Sequence, residues 1–179
     1  MFKLVLIFIF LLLNLQLYSK EIGSVTGYNI PRFVSIKSND VNLRIGSSTN
    51  YPIILKYIKK NLPVEITNEY GHWRKIRDFE GNEGWLHKDL IKGERHGIII
   101  EHNNSSTIIY SNPNGKSIGK IGKLNIVRIT TCLQNWCKIK IENYKGWIRK
   151  KNIWGVYLEE EINIPFYQPF INIFWRIKF

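Results

Sequence analysis

Alanine is missing altogether from this chain of 179 residues, and methionine occurs only once. Without the best helix former, and with isoleucine, lysine, asparagine and the aromatics in heavy use, an all-helical fold is excluded and strands are favoured. Acidic residues are scarce as well: 14 Asp and Glu face 26 Lys and Arg, for a formal charge of +12. That imbalance does not imply disorder, because 44% hydrophobic residues, with 13% aromatic, suffice for a core. Histidines His72, His87, His96 and His102 show no i+2, i+3 or i+4 spacing and lie apart from the cysteines, so neither a metal site nor a cofactor is expected. No catalytic constellation stands out, and no further catalytic domain fits in the remaining length.

Long apolar runs are also lacking. The longest, Leu4 to Leu13, is about half the roughly 20 residues that cross a bilayer as a helix. It follows the basic start Met1-Phe2-Lys3 and gives way to polar residues from Asn14 to Lys20, with the small Ser19 as a cleavage point. Residues 1–19 therefore read as a secretory signal, and no transmembrane span is expected once it is removed. The only cysteines, Cys132 and Cys137, are far from this site, which sets aside a lipid attached through a cysteine just after the signal. The expected location is outside the cytoplasm, in the periplasm or cell envelope. Positive charge alone would fit nucleic acid, but export argues against that partner.

What is present is a repeat. Val64-Glu65-Ile66 and Trp73-Arg74-Lys75-Ile76 recur 63 residues later as Val127-Arg128-Ile129 and Trp136-Cys137-Lys138-Ile139, and Leu55 and Ile58 map by the same shift onto Ile118 and Ile121. Gly84-Trp85-Leu86 corresponds to Gly146-Trp147-Ile148 at a shift of 62, and before Leu55 the shift rises to about 66. Two copies of one unit result, 31–92 and 98–156, with Gly93 to Gly97 as a hinge and 157–179 as a tail or extra strand. Within them, Val41-Asn42-Leu43-Arg44-Ile45 and Cys137-Lys138-Ile139-Lys140-Ile141 alternate apolar and polar, the signature of half-buried strands. About sixty residues in some five short strands are best closed as a small barrel, which hides its edges. A barrel of that size buries only about 60% of its unfolded surface, so the two units are expected to pack together.

Val41-Asn42-Leu43-Arg44, a Gly/Ser loop with Tyr51-Pro52, then Leu62-Pro63-Val64-Glu65-Ile66, Trp73 to Asp78 and Glu83-Gly84-Trp85-Leu86-His87 resemble the bacterial SH3-like domain. The likeness is to secreted proteins carrying two such barrels in tandem. The second unit keeps Trp136 and Gly146-Trp147 but has Ile109-Tyr110-Ser111 where Leu-Arg is expected. The resemblance implies an all-β protein of two small SH3-like barrels behind the signal segment. It also implies a module that binds or targets the cell envelope, often peptidoglycan, without catalysis of its own.

The candidate ligand-binding residues lie in the first unit: Asn42, Arg44, Tyr51, Trp73, Arg74, Arg77 and Trp85. Arginine suits carboxylates and phosphates, and tryptophan either packs a barrel or stacks on a sugar or peptide. Lys75 belongs with the cations of that unit. Cys132 and Cys137 bracket a tight turn, and in an exported protein a disulfide across it is expected. Strict alternation puts Cys132 out of phase with Val127 and Ile129, so a bulge before the turn is required. In the tail, Ile171, Ile173, Trp175, Ile177 and Phe179 alternate as a strand would, covering a barrel edge or packing between the units, with shallow membrane insertion beside Arg176 and Lys178 as the alternative. The leading function is exported, non-enzymatic binding of a cell-wall polymer. A periplasmic protein–protein adaptor is the alternative, and a wall-hydrolase accessory or enzyme comes last.

Overall fold

The computed structural model describes residues 21–100 and 106–164. The signal segment and the alternating tail lie outside the described residues. Among those described, regular structure is strand, with 3₁₀ turns at Lys88–Leu90 and Lys150–Asn152, and no helix is long and apolar enough to cross a membrane.

A short hairpin, β1 (Glu21–Ile22) and β2 (Asn29–Ile30), precedes the first barrel. That barrel contains β3 (Arg32–Ile36), β4 (Val41–Arg44), β5 (Ile53–Tyr57), β6 (Pro63–Tyr70), β7 (Trp73–Arg77), β8 (Glu83–His87) and β9 (Ile91–Lys92). The second contains β10 (His96–Ile99), β11 (Thr107–Tyr110), β12 (Ser117–Ile121), β13 (Ile126–Cys132), β14 (Trp136–Ile141), β15 (Tyr144–Arg149) and β16 (Ile153–Trp154). The strand orders are β5-β4-β8-β7-β6-β3-β9 and β12-β11-β15-β14-β13-β10-β16, one topology used twice. His96 and Gly97, placed in the hinge by the sequence, begin β10 of the second sheet.

The register refines the repeat. Leu43 pairs with Leu55 and Val41 with Tyr57, whereas Ile109 pairs with Gly119 and Thr107 with Ile121. Tyr57, rather than Ile58, is therefore the counterpart of Ile121, and Gly119, rather than Ile118, is that of Leu55. The difference in length is shared between the loops on both sides of β5 and β12, so a single shift across this stretch slips by one residue. The required bulge is present: pairing of β13 with β14 shifts between Ile129 and Thr131, and pairing of β6 with β7 shifts between Ile66 and Asn68. At both bulges a threonine hydroxyl donates across the pair, Thr67 to the Lys75 carbonyl at 3.4 Å and Thr130 to the Lys138 carbonyl at 3.1 Å.

The cores meet. Ile98 belongs to the buried cluster of the first barrel, and Ile100, Ile126 and Trp154 of the second pack against it. Phe33 holds Trp154 edge-on at 4.9 Å between ring centroids and Tyr157 at 4.7 Å. The Tyr157 hydroxyl donates to Glu65 Oε1 at 2.7 Å, tying the segment after the second barrel to the first. Gly155, at φ 118°, lies at this seam, where a Cβ would be 2.6 Å from the His96 carbonyl and 3.1 Å from Pro63 of the first barrel. Burial supplied by the partner offsets the small surface each barrel hides alone.

Equivalent positions carry different locks. In the second barrel Cys132 and Cys137 face each other across β13 and β14, fully buried and disulfide-bonded. The same cross-strand pair in the first is Glu69 with Arg74. Glu69 Oε1 lies 2.6 Å from Arg32 Nη2 and 3.5 Å from Arg74 Nε, and it accepts from the Thr26 hydroxyl at 2.7 Å. Oε2 accepts from the backbone N–H of Val25 and Thr26, so the β1–β2 hairpin is clamped onto this carboxylate. Burial alone would raise the Glu69 pKa, but Arg32, the Thr26 hydroxyl and the two N–H groups outweigh it and bring it to about 2. Ile162 occupies the corresponding place in the second barrel, bonded to Cys132 through both backbone groups.

Two predictions follow from these locks. Because the folded Glu69 carboxyl titrates near 2 rather than 4.5, its contribution is complete above the unfolded value and is lost as pH falls from about 4.5 towards 2. Glu69→Gln should cost roughly 3 kcal/mol at neutral pH by leaving two guanidinium groups without their counter-ion, and acid titration of tryptophan fluorescence should show less pH dependence in the variant. Non-reducing mass spectrometry should find the protein two hydrogens lighter than its reduced form, and reduction should lower stability by about 2 kcal/mol in urea melts.

Candidate functional site

Period-two alternation sorts β7 into two sets. Arg74 and Ile76 are buried, while Trp73 and Lys75 are half-buried and Arg77 is exposed on the opposite side. On β8, Glu83, Trp85 and His87 share the outer side, and on β4 Asn42 and Arg44 do so. Backbone pairing places these residues in rungs across the sheet. Asn68, Lys75, Trp85 and Arg44 lie on successive strands in direct register. One rung along stand Tyr70, Trp73 and His87. Trp73 meets the His87 ring edge-on at 5.5 Å, and His72 lies 5.8 Å from His87.

Trp85 thus sits between two cations, Arg44 on one neighbouring strand and Lys75 on the other. Arg44 Nη1 donates to the Tyr51 carbonyl at 2.7 Å, which fixes the loop after β4. The Tyr51 ring lies against Gly46, where a Cβ would be 2.5 Å from the ring. Tyr51 itself stays 48% exposed beside the arginine. Lys75 Nζ lies 2.8 Å from Glu83 Oε2, an ion pair open to solvent, and Asn42 flanks Arg44 opposite Lys56. Asn42, Arg44, Tyr51, Trp73 and Trp85 are consequently gathered on one outer surface.

The two remaining candidates have other work. Arg74 is 4% exposed and directed inward, pairing with Glu69 and donating from Nη1 to the carbonyls of Gly71 at 2.9 Å and Trp73 at 2.8 Å. It holds the hairpin together. Arg77 faces outward but donates to Glu65 Oε2 from Nε at 3.0 Å and from Nη2 at 2.6 Å, and this carboxylate raises its pKa. Glu65 is buried, so Arg77 neutralises a charge at the junction of the barrels. Lys75 and His87 take their places on the face, and the alternation around Trp73 and Trp85 is the signal that identifies them.

In the second barrel Trp147, at the position of Trp85, is likewise half-buried, but Trp136, at the position of Trp73, is covered by its neighbours. Trp147 pairs with Lys138 and with Tyr110, the residue at the Arg44 position. Trp136 is 5% exposed, with the Tyr110 ring edge-on at 5.1 Å and the Arg149 guanidinium 4.0 Å above its centroid. Among the described residues no group of three or more His, Cys, Asp or Glu could hold a metal ion.

A model of the bacterial SH3 domain matches residues 37–93 and 123–155, covering the first barrel and the later strands of the second. The chain belongs to the bacterial SH3 domain family. No curated protein matches it. Similar solved structures include NlpC2 from Trichomonas vaginalis, at 17% identity and TM-score 0.30 over 71% of this chain and 49% of that one. An NlpC/P60 family protein from Bacillus cereus ATCC 10987 is 14% identical over 78% of this chain and 61% of that one, with a TM-score of 0.31. The endolysin LysPBC5 CBD is 15% identical over 69% and 92% of the respective chains, with a TM-score of 0.28. The chain thus spans about half the length of the first of these proteins and under two thirds of the second.

The different attachments of these cations in the bacterial SH3 barrel are measurable. Arg77→Ala should destabilise the fold by roughly 1–3 kcal/mol, because Glu65 stays buried without its cation. Arg44→Ala and Lys75→Ala should each fall within about 1 kcal/mol of the parent in urea denaturation.

Proposed function

We propose that this bacterial SH3 protein is exported and binds, without catalysis, an anionic polymer of the cell envelope, peptidoglycan being the first candidate, on the outer face of its first barrel. The observation that carries this reading is Trp85 held in register between Arg44 and Lys75, with Trp73, His87 and Tyr70 on the adjoining rung. Such a surface suits a polymer that offers carboxylates or phosphates beside apolar sugar or peptide faces, since guanidinium and ammonium groups take the charge and indole takes the ring. Export is supported by the leader-like pattern of residues 1–19 and by a disulfide, which persists in oxidising compartments. The periplasmic adaptor remains the second reading, favoured by the exposed apolar residues Ile53, Ile54 and Ile58 on and beside the edge strand β5.

Pull-down on purified sacculi separates the two. The parent should bind at low salt and weaken as salt is added, because charge attraction is screened within about 8 Å at physiological ionic strength. Replacing Arg44 and Lys75 together by alanine should reduce binding severalfold while leaving the melting curve close to that of the parent. Equal binding by parent and variant would reduce these cations to a solvated surface. Capture of a protein partner with no affinity for sacculi would favour the adaptor.

A further inference from the structure

The barrels differ most where one is filled and the other is hollow. In the first, Leu55 and Tyr57 of β5 stand opposite Leu43 and Val41. Tyr57 is buried, and its hydroxyl donates to Asp78 Oδ2 at 3.0 Å. Asp78 also accepts from the backbone N–H groups of Glu80 at 3.0 Å and Asn82 at 2.9 Å, closing the turn between β7 and β8. A tyrosine, an aspartate and a folded turn plug this end of the barrel.

The second barrel has neither the tyrosine nor the aspartate, and its turn is shorter. At the position of Leu55 stands Gly119, and at that of Tyr57 stands Ile121. Ile141 replaces Asp78, and only Glu142 and Asn143 separate β14 from β15. Gly119 for Leu55, Ile121 for Tyr57 and the shorter turn remove more volume than the larger Ile141 restores, and a cleft of about 410 Å³ lies at this end. Its size lies in the roughly 300–1,000 Å³ range of small-molecule sites.

The lining is specific in chemistry. Ile109, Ile118, Ile121, Ile139 and Ile141 form the walls, and Lys120 and Lys145 reach its edge against a single acid, Glu142. Both lysines are exposed, and neither is held in an ion pair among the described residues. Branched aliphatic walls provide dispersion contact and exclude water, and Asn125 and Tyr144 are the neutral polar side chains of a lining that is mostly apolar. The excess of positive charge at the edge complements an anion. We propose that this cleft binds a single aliphatic chain with an anionic head group, the chain lying among the isoleucines and the head at Lys120 and Lys145. This site is separate from the face of the first barrel and does not depend on it.

The test uses the full chain with ¹³C-labelled isoleucine methyl groups, titrated with dodecanoate below its micelle concentration. The methyl signals of Ile109, Ile121, Ile139 and Ile141 should move together and saturate, while those of Ile36, Ile66 and Ile76 in the first barrel stay in place. Gly119→Leu restores the residue of the first barrel, and a Cβ at Gly119 meets no atom within 4 Å. This variant should bind at least tenfold more weakly, as should Ile121→Tyr combined with Ile141→Asp, which copies the Tyr57–Asp78 plug. Replacing Lys120 and Lys145 by glutamine should weaken binding severalfold, and dodecyltrimethylammonium should bind less tightly than dodecanoate. If the double plug variant does not fold, Gly119→Leu and the lysine pair still decide the outcome. Undiminished binding by Gly119→Leu, equal affinity for the cationic amphiphile, or shifts that never saturate would each overturn the proposal. So would methyl signals that respond to removal of residues 165–179 and not to dodecanoate, a result that would assign the cleft to the chain's own tail.

Discussion

A strand-built unit of sixty residues has too much surface for its volume, and the contact between the barrels answers that shortage. Ile98 and Trp154 are contributed by the second repeat, yet they pack with the core of the first, and Phe33 reaches the other way to Trp154 and Tyr157. Glu65 is buried at this junction and is satisfied from both sides, by Arg77 of its own barrel and by Tyr157 of the next segment. The charged pair is thus part of the packing. The outer face of the first sheet runs into this seam, because Phe33, Glu65 and Arg77 form a rung across β3, β6 and β7 beyond Lys75, so its rungs rest on a backbone held in place by both repeats.

Duplication kept the frame and changed its contents. Strand order, bulge position and the threonine hydrogen bond at each bulge are the same in the two barrels. Side chains at equivalent positions are not. One hairpin is locked by Glu69 and Arg74, the other by a disulfide. Trp73 is half-buried beside His87, while Trp136 at the same position is covered by Tyr110 and Arg149. One barrel end is plugged by Tyr57 and Asp78, while the other is a cleft walled with isoleucine. Once two copies shared a core, each was free to specialise at positions that the shared core does not use.

Much of the fold was readable from residues alone, because large aromatics and the Gly-Trp dipeptide recur at one spacing and survive changes in the loops between them. The bulge before Cys132 was also readable, since a buried cysteine out of phase with its strand admits few other solutions. Arg74, a ligand-binding candidate by its chemistry, shares the inward parity of Ile76. A buried arginine is expected only once its partner is known, and Glu69 lies on a different strand. The β1–β2 hairpin gave no signal, because strands of two residues have no period and this one is held by Glu69 instead of by its own pattern. The cleft was hidden for another reason: it depends on Gly119 facing Ile109, and the loop-length change around β12 obscured that register by one residue.

The segments leading into and out of the barrels grip equivalent hairpins by unlike means, and this gives the molecule a mechanical polarity. On the entry side, Glu69 holds the β1–β2 hairpin through two backbone N–H groups, a hydroxyl and a shared pair of guanidinium groups. On the exit side, Ile162 is held to Cys132 by two backbone hydrogen bonds, reinforced upstream by Arg95 on Glu160 and by Lys150 donating to the carbonyls of Leu158 and Glu160. Under tension between the two ends, the bridge at Ile162 can peel one bond at a time. Once both bonds part, the load passes back through Glu160 and Lys150 to β16, whose pairing with β10 the disulfide between β13 and β14 does not reinforce.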